Sequence, residues 1–176
     1  LPIQLFKEHP DRLSYYQAQY QYVLVDEYQD TNRPQFELVH SISQKHRDIC
    51  VVGDDDQSIY GWRGADIKNI LEFSDTFGDS TIIKLEQNYR STKTILKAAH
   101  AVVSLNEKRS EKELWTENDS GEKIRIQDCY DERDEAKRIV SWINDNENDS
   151  FTFSEHVILY RTNAQSRSIE DELRRE

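Results

Sequence analysis

The sequence predicts an α/β fold built on a parallel sheet, and three features point to it. Short apolar runs at residues 22–25, 49–52 and 81–85 alternate with segments of helical period. Strand, helix, strand, helix, strand is the order of a parallel layer. The first run is continuously apolar, as in a strand covered on both faces. Two carboxylates, Asp26 and Glu27, follow that run directly, at the strand end where open α/β sheets bind ligands.

The elements follow in order. Residues 1–20 are polar and aromatic, with Pro2 and Pro10 as breaks; Tyr15, Tyr16 and Tyr20 line a short helix, and this opening reads as the tail of a segment cut upstream. After the first strand, Pro34 fits the first turn of a helix capped by Thr31 or Asn32. Leu38, Val39 and Ile42 give that helix its apolar stripe. Residues 66–73 read as a helix with Ile67, Ile70 and Leu71 on one side. Ser91 or Thr92 caps the next helix, where Ile95, Leu96, Ala99, Val102 and Val103 keep the helical period. Residues 104–123 are polar, contain Gly121, and read as loop and linker. Residues 123–130 form a strand, and Asp131 caps a helix whose Ala136, Ile139, Val140 and Ile143 face inward. Residues 144–150 are a polar turn, 157–160 a strand, and a helix begins at Gln165 and runs to the end at Glu176, as at a cut boundary. Two α/β units are joined near residues 91–95. Residues 1–20 are the upstream tail, 21–92 belong to the first unit and 93–176 to the second.

Bulk properties bound the function. A hydrophobic fraction of 36% supports a real core, and no apolar run approaches membrane-spanning length. The opening LPIQLFKEHP lacks the basic start and apolar stretch of a secretory signal. Cys50 and Cys129 each fall in an apparent strand and read as small core residues, not as a disulfide or metal pair. The five histidines form no ligand cluster. These features fit a soluble cytoplasmic protein. The net charge is −11, and neither half carries the basic patch of a nucleic-acid binder. Charge alone argues against DNA. A narrow track of stacking faces, however, needs few charges.

The stretch 53–65, GDDDQSIYGWRGA, is a poor core and a poor helix. Gln57 offers an amide, Tyr60 and Trp62 offer flat faces, and Arg63 offers a fixed positive fork. Read alone, it is equally a surface loop with its aromatics tucked into the core. Likewise the bare Asp26-Glu27 pair is compatible with solvated loop acids or helix caps. Asp54, Asp55 and Asp56 would repel phosphate and are better suited to bracing arginines or capping the loop.

Taken together, VDEYQDTN (25–32), GDDDQSIYGWRGA (53–65), LEQNYRST (85–92) and VILYRTNAQSR (157–167) resemble, in order, segments of the superfamily 1 DNA helicases of the UvrD/Rep/PcrA type. The first is similar to the Walker B segment, or motif II, the second to motif III and the third to motif IV. The fourth is similar to the segment that opens the second motor domain. The resemblance spans almost the whole chain. It implies RecA-like motor domains of the P-loop NTPase type, both incomplete in this chain. It also implies ATP and Mg²⁺ as cofactors and 3′→5′ movement on single-stranded DNA, acting at duplex–single-strand junctions, with repair or replication proteins as partners. By resemblance, Asp26 holds the metal, Glu27 activates water, and Gln57 senses the γ-phosphate. Tyr89 lies against adenine and Arg90 reaches the γ-phosphate. Tyr60, Trp62 and Arg63 contact single-stranded DNA, and Arg161, Thr162 and Asn163 touch its backbone.

The phosphate-cradling loop G-x-x-x-x-G-K-[ST] is absent: the chain has five glycines and no Gly-Lys pair. In the resembled family that loop lies upstream of the segment matching Asp26. The expectation is that this chain alone does not hydrolyse ATP at a useful rate. Two rival readings remain: a single-stranded DNA clamp without productive ATP use, and a helicase module of a helicase–nuclease.

Overall fold

The computed structural model describes residues 1–106, 109–146 and 151–175. The chain divides into two compact units, Leu1–Lys123 and Ile124–Glu176, each with its own core.

In the first unit, helices α1 (Pro2–Glu8) and α2 (Pro10–Gln19) meet at His9. Pro2 and Pro10 open these helices and do not break them, because an N-terminal position needs no N–H donor. Phe6 packs against Tyr16 at 5.7 Å, and Tyr16 stacks on Tyr20 at 6.2 Å. Strand β1 (Val23–Val25) leads through a 3₁₀ turn to α3 (Arg33–Ser43) and β2 (Ile49–Val51). The strands pair in parallel, Val23 with Ile49 and Val25 with Val51, and α3 supplies the crossover that such pairing requires. Asn32 is the cap of α3, in a reciprocal capping box with Gln35, so two otherwise orphaned N–H groups are satisfied. Leu38, Val39 and Ile42 are half-buried, as their spacing predicts. Tyr28 is fully buried and meets Phe73 edge-on at 5.8 Å. Phe73 stacks on Phe77 at 4.6 Å.

Several expectations are corrected. The stretch 66–73 is two short helices, α4 (Lys68–Leu71) and α5 (Phe73–Phe77), separated at Glu72. Strand β1 is not covered on both faces: Leu24 is 64% exposed. Residues 81–85 form no strand, and Ile82, Ile83 and Leu85 lie exposed. Helix α6 (Lys93–Val103) follows Thr92, whose side chain makes no cap hydrogen bond, and only Leu96 of its apolar face is buried, with Ile95 and Val102 exposed.

In the second unit, α7 (Glu132–Asn146) packs on α8 (Ser166–Leu173). Ala136, Val140 and Ile169 are the buried residues of this pair. Asp131 caps α7, its Oδ1 accepting from the N–H groups of Arg133 at 3.0 Å and Asp134 at 2.8 Å. Residues 123–130 and 157–160 are not strands, and Ile126 and Leu159 are almost fully exposed. An apolar, β-prone run becomes a strand only beside a partner edge, and the described residues offer these runs none. Cys129 is therefore not in a strand, whereas Cys50 lies in β2; both are free thiols. The expected turn at 144–150 falls partly outside the described residues; 144–146 end α7. The architecture is mixed α/β with a small parallel sheet.

Candidate functional site

The chain leaves β1 at Val25 and turns sharply. Val52 N–H donates to Val25 O (2.8 Å) and Tyr28 N–H to Val52 O (2.9 Å). Glu27 makes the turn in the left-handed region, φ 50° and ψ 43°, a conformation costing a residue with a Cβ on the order of 1 kcal/mol. Such outliers concentrate at functional sites. Asp26 Oδ1 accepts the Glu27 N–H at 2.9 Å. Both carboxylates are exposed, and both line an open cleft of about 390 Å³ together with Asp30, Thr31 and Gln35. Hard carboxylate oxygens beside an open cleft suit Mg²⁺, so the donor set fits a metal-bound nucleotide. Asp30 Oδ1 is buried without a partner among the described residues. Tyr28 Oη is likewise unpartnered, and burial pushes its phenol up to about 12.

Behind Glu27 stands Gln29, 1% exposed. Its Nε2 donates to Glu27 Oε2 (2.7 Å), and its Oε1 accepts from Asp54 N–H (3.0 Å). Ser58 Oγ donates to the main-chain carbonyl of Gln29 at 3.3 Å. Gln57 Nε2 donates to Asp54 Oδ2 at 2.7 Å. Glu27, Gln29, Asp54 and Gln57 thus form one hydrogen-bonded chain from β1 to the glycine-rich loop. Gly53 makes room for it: a Cβ there would lie 2.5 Å from Gln29 Oε1 and 2.8 Å from Ile70 Cδ1. Sequence reasoning assigned Gln29 no role. The available signal was an amide among acids at 26, 27 and 30, a side chain able to donate to a carboxylate and accept from a backbone N–H at once.

Asp54, Asp55 and Asp56 brace cations from residues 109–112: one is an arginine, as expected, but the cation shared by all three is Lys112. Lys112 Nζ bridges Asp54, Asp55 (2.7 Å) and Asp56 (3.1 Å). Arg109 Nη2 pairs with Asp56 Oδ2 at 2.8 Å, and Asp55 Oδ2 accepts from Ser110 N–H at 2.6 Å. Burial opposes ionisation of Asp54, but the hydrogen bonds from Lys112 and Gln57 outweigh it and hold its carboxyl below the usual range. Asp56 is held low in the same way, burial being outweighed by Arg109, Lys112 and Asn106. The three acids have the spacing of a metal site, yet the Lys112 ammonium fills that position.

The same loop then presents its flat faces. Gly61–Arg63 form a 3₁₀ turn closed by Gly64 at φ +85°. The Arg63 guanidinium lies 4.4 Å over the Trp62 ring and 5.1 Å over Tyr60, within cation–π range. Trp62 is 70% exposed, so it is not a core residue. The loop returns to the acid site through Asp66 N–H on Thr31 O (3.0 Å) and the Asn32–Ala65 bridge.

Tyr89 and Arg90 stand on a separate segment. Asn88 Oδ1 accepts from the N–H groups of Arg90 (3.0 Å) and Ser91 (2.7 Å). Tyr89 is exposed, its hydroxyl donating to Gln87 Oε1 at 2.8 Å. Among the described residues the Arg90 guanidinium has no ion pair, and neither residue hydrogen-bonds Asp26, Glu27 or Gln57. Arg161 and Asn163 belong to the second unit. Gln165 Oε1 accepts the N–H groups of Arg161 (3.0 Å) and Thr162 (2.9 Å), and Arg161 itself is exposed.

Comparison with known proteins agrees with these motifs. Residues 1–78 match the UvrD/REP helicase N-terminal domain, and residues 83–176 match the UvrD-like helicase C-terminal domain. The chain is 52% identical over 169 residues to a protein of Staphylococcus epidermidis strain RP62A named ATP-dependent DNA helicase PcrA. It is equally identical to proteins of that name from Staphylococcus aureus strains Mu50 and NCTC 8325. Each match covers 96% of this chain and 23% of the relative, so the chain spans about a quarter of the relatives' length. With family models matched on both sides of residue 80, the chain belongs to the UvrD-like helicase family.

Proposed function

We propose that this chain is a segment of an ATP-dependent DNA helicase that moves 3′→5′ along single-stranded DNA and opens duplex–single-strand junctions, in the cytoplasm, alongside repair or replication proteins. Residues 21–92 would belong to one RecA-like motor domain and residues 93–176 to a second. The exposed apolar runs at 81–85, 123–130 and 157–160 support this reading, since larger sheets would cover them.

The observation that carries the reading is the acid pair at the end of β1, tied by hydrogen bonds to the loop bearing exposed Tyr60, Trp62 and Arg63. Asp26 would hold Mg²⁺, which neutralises charge on the β- and γ-phosphates when bound. Glu27 orients the attacking water and accepts its proton. Gln57 sits where a change at the γ-phosphate reaches the loop. Arg90, unpaired among the described residues, is free to neutralise charge on the transferred phosphate, an effect worth about 10³–10⁵ in rate. Tyr89 offers its exposed ring to adenine. Tyr60, Trp62 and Arg63 stack on bases of any sequence, and Arg161 and Asn163 contact the DNA backbone from the second domain.

The test is ATP hydrolysis by the full-length protein containing this chain, with and without single-stranded DNA, beside Glu27→Gln. DNA-stimulated hydrolysis that collapses in the variant supports the motor. Retained DNA binding with no hydrolysis leaves a clamp. The chain alone, without a phosphate loop, should show no turnover above its own Glu27→Gln control.

A further inference from the structure

We infer that Gln29 is a positioning residue for the chemical step, acting through Glu27. The inference rests on the assignment of Glu27 to the attacking water. Glu27 emerges at a left-handed turn, and its side chain is otherwise exposed and mobile about three torsions. Gln29 removes that freedom. Its Nε2 donates to Glu27 Oε2 at 2.7 Å, taking one carboxylate oxygen and leaving the other for a water. Gln29 is itself immobile. It is 1% exposed, its Oε1 is held by Asp54 N–H at 3.0 Å, and its main chain is tied to the loop by Ser58 Oγ on its backbone carbonyl. The amide must be oriented with nitrogen toward Glu27, because a carboxylate only accepts and a backbone N–H only donates.

Gly53 is the space this arrangement needs. A Cβ at 53 would lie 2.5 Å from Gln29 Oε1 and 2.8 Å from Ile70 Cδ1, closer than non-bonded atoms tolerate, so the Gln29 amide would have to shift. Gln29 supplies the hydrogen bond that aims Glu27, and Gly53 leaves the room in which Gln29, Ile70 and the Tyr28 N–H pack together. A buried group that aims a reacting group by hydrogen bonding affects rate more than affinity. A displacement of about 1 Å at the reacting group can cost about 100-fold.

The experiment uses the full-length protein at saturating single-stranded DNA and measures kcat and KM for ATP, with the Kd for DNA as the check of folding. Gln29→Ala is expected to lower kcat about 10–100-fold, with KM and Kd changed less than about threefold. In the Glu27→Gln background, Gln29→Ala should change the residual kcat less than about twofold, since residues acting as one unit are not additive. Gly53→Ala, which leaves every hydrogen-bonding side chain in place, should reproduce the kcat loss and gives the same reading should Gln29→Ala fail to fold. Wild-type kcat in Gln29→Ala or in Gly53→Ala would overturn the inference. So would a full Gln29→Ala loss that persists in the Glu27→Gln background. An active Glu27→Gln protein would instead sink the assignment of Glu27 itself, a result distinguishable from failure at Gln29.

Discussion

Replacing Lys112 with methionine tests the tie between the glycine-rich loop and the segment beyond α6. The Lys112 side chain is 17% exposed, and those of Asp55 and Asp56 are 6% and 5% exposed. Methionine keeps most of the volume and removes the charge, leaving Asp54 and Asp55 without a cation and Asp56 with Arg109 alone. Breaking a buried ion pair from one side costs roughly 3–5 kcal/mol. The surviving Arg109 contact and the partial exposure of Asp54 place this case near the lower end, at about 3 kcal/mol. Urea unfolding of the chain, followed by tryptophan fluorescence, reads the loss as a lower midpoint at pH 7. The pH dependence has a definite sign. Asp54 and Asp56 are held below the ordinary carboxylate range, so their contribution is present above about pH 4 and fades as pH falls further. For Lys112, burial opposes the charge but the three carboxylates outweigh it and raise its pKa. Its contribution is thus complete below about pH 10.5 and lost only above that. The gap between wild type and Lys112→Met should be flat from about pH 5 to 9 and shrink in acid as the carboxylates protonate. A gap under about 0.5 kcal/mol at pH 7, typical of exposed pairs, would refute the conclusion that this partly buried cluster ties the loop to residues 109–112.

Other outcomes are equally direct. Trp62→Ala should weaken single-stranded DNA binding by the full-length protein by about 1–3 kcal/mol, read by fluorescence anisotropy, with little change in basal ATP hydrolysis; unchanged affinity would remove Trp62 from the DNA track. Asn32→Ala should cost about 1 kcal/mol of stability through loss of the α3 capping box, measured as a lower urea midpoint. Asp26→Ala should raise the Mg²⁺ concentration needed for half-maximal hydrolysis by about tenfold or more, the scale seen when a metal site loses part of its support.

The acid pair and the stacking loop were legible because their chemistry is contiguous in sequence. Asp26 and Glu27 follow an apolar strand without interruption, and Tyr60, Trp62 and Arg63 fall within one turn. The connections between such stretches were not. Gln29 reaches Asp54 across 25 positions, and Lys112 reaches Asp55 across 57. Nothing local to either residue encodes its partner. Caps were readable at Asn32 and Asp131, where a side chain and the N–H groups it accepts lie within three residues. Strands were readable only where a partner edge exists. Residues 23–25 and 49–51 pair across α3, whereas 81–85, 123–130 and 157–160 have comparable composition and join no strand among the described residues. Period and propensity report what a segment prefers, while a ladder needs a neighbour.

The central claim is that Glu27 performs the chemistry of a DNA-driven motor. Its most direct test is the steady-state ATPase rate of the full-length protein with and without single-stranded DNA, beside Glu27→Gln. A rate that rises with DNA and falls by about two or more orders of magnitude in the variant, with ATP and DNA still bound, is the predicted result. Equal rates in wild type and variant, or no DNA dependence in the wild type, would contradict it.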